Sequence, residues 1–325
     1  MSLLCAPYLR HALIAGSLLL SGLALAAYPD RPVTLVVPYP AGGAADVVGR
    51  LLAKRLEDQL GQPVVVENKA GAGTAIGAAA VANAKPDGHT LLISSNSTFT
   101  LNPAINPKLP YDPAKGYDAI GRVGSIALAL LAHPSVRATS VPQLVDAIKA
   151  DPDKFVYGSF GSGTSANFAG AMFNQATGLK LTHVPYKGSA PLMTDLIGGQ
   201  ILLSFDTVVA ATPQLKNGKI KVLAVASPQR SPLLPEVPTM AEVGYPSVDM
   251  TAWLALVAPR GLPAEVKARL EKALATLMAL PETQSSMKAA GIDPAYSSVS
   301  DWAGLVSADI ARMKAIAERA QIKGD

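Results

Sequence analysis

Charge is scarce in this sequence. Only 16% of the 325 residues are Asp, Glu, Lys or Arg, against about 25% in an average soluble chain, and 49% are hydrophobic, which argues for buried sheets rather than a disordered tail. Cysteine is scarcer still: the single copy, Cys5, stands near the N-terminus, so the rest of the chain has no thiol nucleophile, no disulfide and no cysteine metal ligand. Aromatics make up 5%, and the 28 basic residues are spread thinly. Their densest run, Lys216, Lys219 and Lys221, reads as a solvated turn, so no nucleic-acid partner is expected. Beyond the N-terminal segment no apolar run approaches the roughly 20 residues of a membrane span. Histidine is equally sparse: beyond His11 near the N-terminus there are His89, His133 and His183, at spacings that put no two on one helix face, which leaves no metal site to expect.

What the N-terminus does hold is an address. Arg10 and His11 precede the apolar stretch Ala12 to Leu20, followed by Ser21-Gly22 and the small residues Ala24-Leu25-Ala26-Ala27. That order of basic, apolar and A-x-A segments predicts a secretory signal over residues 1–26, cleaved after Ala26. Cys5 lies ahead of the apolar stretch, where it cannot be the lipid-bearing cysteine of a lipoprotein. An exported, soluble mature chain is expected.

Past residue 27 short β runs alternate with helical patterns, the signature of α/β domains built on mainly parallel sheets. Val33 to Val37 predicts a strand, and Ala44 to Leu60 a helix stopped by Gly61. Strands at Val64 to Glu67 and Thr90 to Ser94 flank the Gly-rich Ala70 to Thr74 and a small-residue helix. Pro103 to Pro113 predicts a loop unable to hold a ladder or helix. From about Ser125 the chain starts over, with strands at Ile126 to Ala132, Phe155 to Ser159, Leu181 to Val184, Ile201 to Phe205 and Ile220 to Ala226, and helices over Val141 to Ala150 and Thr164 to Thr177. The irregular Ser227 to Met250 precedes a strand at Ala252 to Ala258, a helix begun by Pro263 and ended before Pro281, and a last helix capped by Ser300. These last helices have no sheet of their own. The expected division is therefore two lobes and two crossings: 27–125 with 251–325, and 126–250.

Two strand-to-helix turns share one logic: Tyr39-Pro40-Ala41-Gly42-Gly43 after the first strand, and Ser159-Phe160-Gly161-Ser162-Gly163-Thr164-Ser165 after the strand at Phe155. Glycine leaves backbone N–H groups uncovered and the following helix start adds a positive dipole end, so each turn is a candidate anion cradle. Neither carries the lysine of a phosphate-binding P-loop. Gly71-x-Gly73-x-x-x-Gly77 misses the dinucleotide spacing by one residue, and Gly163-Thr164-Ser165-Ala166-Asn167 ends in Asn where a nucleophile elbow needs Gly. No cofactor is expected. Asn96-Ser97-Thr98 and Asp206-Thr207 are further polar strand ends, the side on which open α/β sheets bind ligands; helix capping is the competing reading of Asp206, and a dipole role that of Asp46.

Jointly, several segments resemble the Bug-type periplasmic solute receptors of tripartite tricarboxylate transporters. They are Tyr28 to Pro32, Val36 to Asp46, Glu67 to Gly73, Gly158 to Thr164, His183 to Gly188 with Asp195 to Gln200, and Ala258 to Gly261. The resemblance implies a two-lobed periplasmic-binding-protein clamshell, a monomer, that catches a small carboxylate between its Gly-rich turns and delivers it to membrane permease subunits. Carried onto this chain, the contacts would be N–H groups around Ala41, Gly42 and Gly43 beside Tyr39, the Asn96-Ser97 loop, Ser159 and Gly163, the hydroxyls of Thr164 and Ser165, and Asp206. Asn167 is a further expected contact, standing where many such receptors have histidine. Two other classes stay open at this point, a receptor that reports its ligand to a signalling partner and a secreted α/β hydrolase.

Overall fold

β-Branched runs and helix punctuation build the first lobe. The computed structural model describes residues 28–323, so the expected leader and Cys5 lie outside the described residues. Val33–Val37 (β1) pairs in parallel with Val64–Asn68 (β2) and Thr90–Ser95 (β3). Between them run helices Ala44–Leu60 (α1) and Ala75–Ala82 (α2). Helix α1 buries Val48, Leu52, Leu56 and Leu60, a stripe of four-residue spacing, and stops where Gly61 takes φ +75°. Asn96 to Thr98 is helical rather than loop, because a π-helical turn, Ser97–Leu101, follows β3 directly. A short helix, Asn102–Ile105 (α3), continues it inside the stretch expected to be helix-free; Pro103 sits in its first turn, where a missing N–H costs nothing.

Tyr117–Ala132 (β4) is one strand of 16 residues, starting nine residues before the expected Ile126 because Gly121 and Gly124 break its apolar run. The second lobe follows with Val141–Ala150 (α4), Val156–Ser159 (β5), Ser165–Thr177 (α5), Thr182–Pro185 (β6), Ser189–Ile197 (α6), Leu203–Thr207 (β7), Val208–Lys216 (α7) and Lys221–Val225 (β8). The return strand is Thr251–Pro259 (β9). Helix Ala264–Ala279 (α8) ends as expected, but Pro281 opens a further helix, Pro281–Ala289 (α9), and a strand the sequence reading lacks, Asp293–Ser297 (β10), pairs with β4. Asp301, not Ser300, caps the final helix Trp302–Arg319 (α10), accepting from Gly304 N at 2.8 Å.

The ten strands share one mixed sheet, ordered β2-β1-β3-β9-β4-β7-β5-β6, with β8 and β10 also on β4. The outer pairs of both lobes are parallel, while every pairing of β4 and the β3–β9 pair are antiparallel. Along Tyr117 to Ala127 strand β4 pairs with β9; from Leu128 to Ala132 it pairs with β7 and β8. One continuous strand thus serves both lobes and sets the cleft where its partners change, between Ala127 and Leu128. The final helix spans the same divide: Trp302 and Val306 pack with Phe99 and Tyr117, whereas Met313 and Ala317 join the core of Phe168, Phe173 and Phe205.

Candidate functional site

Each lobe aims one helix start at the cleft. Helix α1 begins after Gly43, which supplies no side-chain cap, and α5 begins after Thr164, whose side chain makes no capping bond either. Their first N–H groups have no acceptor within their helices. Between them lies a cavity of about 40 Å³, lined at one end by Gly43, Ala44, Ala45 and Ser165. Tyr39 and Phe160, one ring from each lobe, meet edge to face at 6.4 Å on its wall. Ser95, Ser189, Asp206 and Thr207 supply the remaining polar groups, and Ile126, Ala252 and Leu254 the apolar ones. Among these lining residues there is no Lys, Arg or His.

Ser165 is the group most exposed to a missing partner. It is 1% exposed, and its Oγ has no hydrogen-bond partner, a state that costs about 1–3 kcal/mol in a buried hydroxyl. Its backbone N–H donates across the lobes to Ser97 Oγ at 3.1 Å. Tyr39 OH and Ser95 Oγ are bonded at 2.8 Å, and Ser95 Oγ also accepts from Ser97 N at 3.1 Å. Burial raises the Tyr39 phenol against the pull of its serine and threonine neighbours, so it stays neutral.

Several residues expected as contacts are instead committed to the turns themselves. Gly42 N donates to Asp46 Oδ2 at 3.0 Å, so this N–H is spent inside lobe 1. Asp46 does more than sit in a dipole: Arg50 and Asn68 Nδ2 also donate to it, and although burial pushes its carboxyl up, these bonds hold it below the ordinary range. Ala41 is exposed and lines neither cavity of the cleft. Thr164 Oγ1 donates to Gly161 O at 2.6 Å, and Gly163 N to Asn167 Oδ1 at 3.1 Å, bonds that shape the second turn. Asn96 donates to Thr251 O at 3.3 Å, while its buried Oδ1 has no partner.

Behind the second turn lies a histidine that the local sequence does not announce. His183 Nε2 and Ser159 Oγ are 2.6 Å apart, His183 Nδ1 faces Asn167 Nδ2 at 3.3 Å, and the Tyr157 ring stacks on the imidazole at 5.0 Å. The pairing has the look of a nucleophile and base. Yet Ser159 is fully buried, lines neither cavity and exchanges bonds with Gly161, so the group braces the turn. Only the parallel register of β5 and β6, which sets His183 beside Tyr157, brings it there.

Asp206 faces the cavity from the end of β7. Oδ1 accepts from Thr207 N at 2.7 Å, and Oδ2 accepts the hydroxyl of Ser189 in the first turn of α6. Thr207, rather than Asp206, caps α7 by accepting from Ala210 N at 3.3 Å. Burial pushes the Asp206 carboxyl up to about 6, against the lowering effect of its Ser189 and Thr207 bonds. The local sequence does not mark Ser189, because the fold gives it its place: its hydroxyl donates to Asp206, and a Cβ at Gly43 would lie 3.8 Å from Ser189 Cβ, across the lobes.

Known proteins match this chain in sequence and in fold. The model of the tripartite tricarboxylate transporter family receptor matches residues 48–322. The chain is similar to Protein BugT of Bordetella pertussis (strain Tohama I), 34% identical over 286 residues that cover 88% of each chain. Its fold is similar to that of the periplasmic binding protein BugD, with a TM-score of 0.84, 34% identity, and coverage of 91% of this chain and 99% of that one. It is also similar to the structure of R. palustris Rpa4515 with adipate, with a TM-score of 0.87, 33% identity, and coverage of 91% and 99%. By sequence and by its two-lobed α/β fold, this chain belongs to the tripartite tricarboxylate transporter receptor family, the Bug-type periplasmic solute-binding receptors.

Proposed function

We propose that the chain binds a small carboxylate in the inner cavity between its lobes and delivers it to membrane permease subunits, without covalent chemistry. The observation that carries the proposal is the meeting of two uncapped helix starts, one per lobe, around the buried and unpartnered Ser165 hydroxyl. A carboxylate there would take N–H groups of α1 and α5 and the Ser165 hydroxyl, each charge-assisted bond contributing about 1.5–3 kcal/mol. No cation is required, because the donors are fixed before the ligand arrives. Residues 27–125 with 251–325 form one lobe of this proposal and 126–250 the other, and the mature monomer is exported after cleavage behind Ala26. Adipate on Rpa4515 is consistent with a carboxylate class.

Calorimetric titration with mono-, di- and tricarboxylates, aromatic carboxylates and acidic amino acids tests the reading. At least one should bind with 1:1 stoichiometry and, at 100 times its Kd, stabilise the native state by about 2.7 kcal/mol. Failure of the whole panel would sink it.

A further inference from the structure

We infer that the segment Gly71 to Thr74 is a strained latch between the lobes, held through Asn102, and that the strain it carries when the lobes meet quickens release of a bound ligand. The inference goes beyond the carboxylate reading and needs it only for the choice of probe. Among the described residues three that are not glycine take a positive φ, and two of them stand in this segment: Ala72 at +46° and Thr74 at +84°. With Gly71 at +132° and Gly73 at +55° they make four such residues in a row between β2 and α2, on the wall of a second, outer cavity of about 240 Å³. For a residue with a Cβ this backbone costs conformational energy, most of all for a β-branched threonine, and it persists only where the surroundings impose it.

Here the surroundings come from both lobes. Within lobe 1, Asn102 Nδ2 donates to Gly73 O at 2.9 Å and to Ala72 O at 3.3 Å, and Thr98 Oγ1 donates to Thr74 Oγ1 at 2.7 Å. From lobe 2 the second Gly-rich turn covers the same groups. A Cβ at Gly73 would stand 2.4 Å from Ser162 O, and one at Gly163 would stand 3.0 Å from Asn102 Oδ1. The buried Asn102 therefore grips the segment on one side and meets lobe 2 on the other. Thr98 follows Ser97, whose Oγ takes the Ser165 N–H across the lobes, so the latch and the inner cavity share one helical turn. When lobe 2 withdraws, water reaches Asn102 and the two carbonyls it holds, and the segment is free to leave the left-handed region. When the lobes meet, it is forced back. The cost of that backbone then falls on the form with lobes together and works against a ligand that favours it.

Two rates test the latch, one of them without ligand: exchange of the Ser165 amide in the free protein, which reports separation of the lobes, and dissociation of adipate in stopped flow. Ala72 is exposed, so Ala72→Gly relieves the backbone and removes little packing. It should slow both rates about three- to tenfold, because glycine takes positive φ freely. Gly73→Ala, through its clash at Ser162 O, and Asn102→Ala should each quicken both rates, by about fivefold or more. Gln321→Gly is the control: Gln321 has φ +53° just past α10, and relieving it should move neither rate. Ala72→Gly rates equal to those of Gln321→Gly, in either readout, would overturn the latch and leave the carboxylate reading standing. If adipate fails to bind, that failure counts against the carboxylate reading, and the exchange rate alone decides the latch.

Discussion

Ser165 and Asp206 separate binding from stability at the level of single side chains. Ser165→Ala deletes a buried hydroxyl that has no partner, so the melting temperature should hold or rise while carboxylate affinity falls about 10- to 150-fold. Unchanged affinity by calorimetry would place the ligand elsewhere. Asp206 carries a pH signature. Its folded carboxyl titrates near 6 against an ordinary 3.8, so between those values the native state holds more protons than the unfolded one. Stability is therefore greatest below this window and falls as pH rises through it, by on the order of 3 kcal/mol at neutral pH. Asp206→Asn should remove that fall, which melts at pH 4.5 and pH 7.5 would show. The same charge opposes an anionic ligand: wild-type affinity for a carboxylate should climb as pH drops from 7.5 to 5, and the Asn variant should be flat. A wild-type affinity that falls with acidification would instead indicate a ligand cation against Asp206.

Elements repeat this division between what is local and what is assembled. Helix α1 was legible because Val48, Leu52, Leu56 and Leu60 mark one face and Gly61 stops it. Helix α9 was not, since a proline that ends one helix also begins the next, and Pro281 does both. Strand β10, Asp293–Ser297, has only partial burial and no apolar alternation; its pairing with β4 is what makes it a strand. At the site, the Gly-rich turns announced themselves, but which of their donors remain free depended on Asp46, Gly161 and Asn167 taking some of them. His183 reaches the back of the second turn only through strand register, and Ser189 reaches the cavity through its bond to Asp206 and its contact with Gly43. The turn preceding α1 offers a direct check: Gly42 has φ +87°, with open space where a Cβ would go, so the cost of a side chain is conformational. Gly42→Val should destabilise the fold by about 1–3 kcal/mol and weaken binding by misplacing the start of α1. Equal melting temperature and equal affinity would show that the turn tolerates another backbone.

In the whole molecule, the lobes touch through the same groups that surround the ligand space. Ser165 N donates to Ser97 Oγ, Ser189 stands against Gly43, and the Gly73–Ser162 and Gly188–Pro40 contacts close the rim. Each of these rim contacts is made by a glycine or a small polar group, so a ligand joining both helix starts has the leverage to set the balance between open and closed forms. The free protein should accordingly show a larger radius of gyration in X-ray scattering than the saturated one. Gly188→Val tests the link between closure and affinity. Gly188 has φ +128° and its added Cβ would stand 2.4 Å from Pro40, so the variant obstructs closure while both helix starts remain intact. If closure brings the two half-sites together, the variant should bind at least tenfold more weakly and keep its expanded scattering profile at ligand saturation. Tight binding with an expanded profile would show that one lobe alone holds the carboxylate, and compaction equal to the wild type would show that the rim closes by another path.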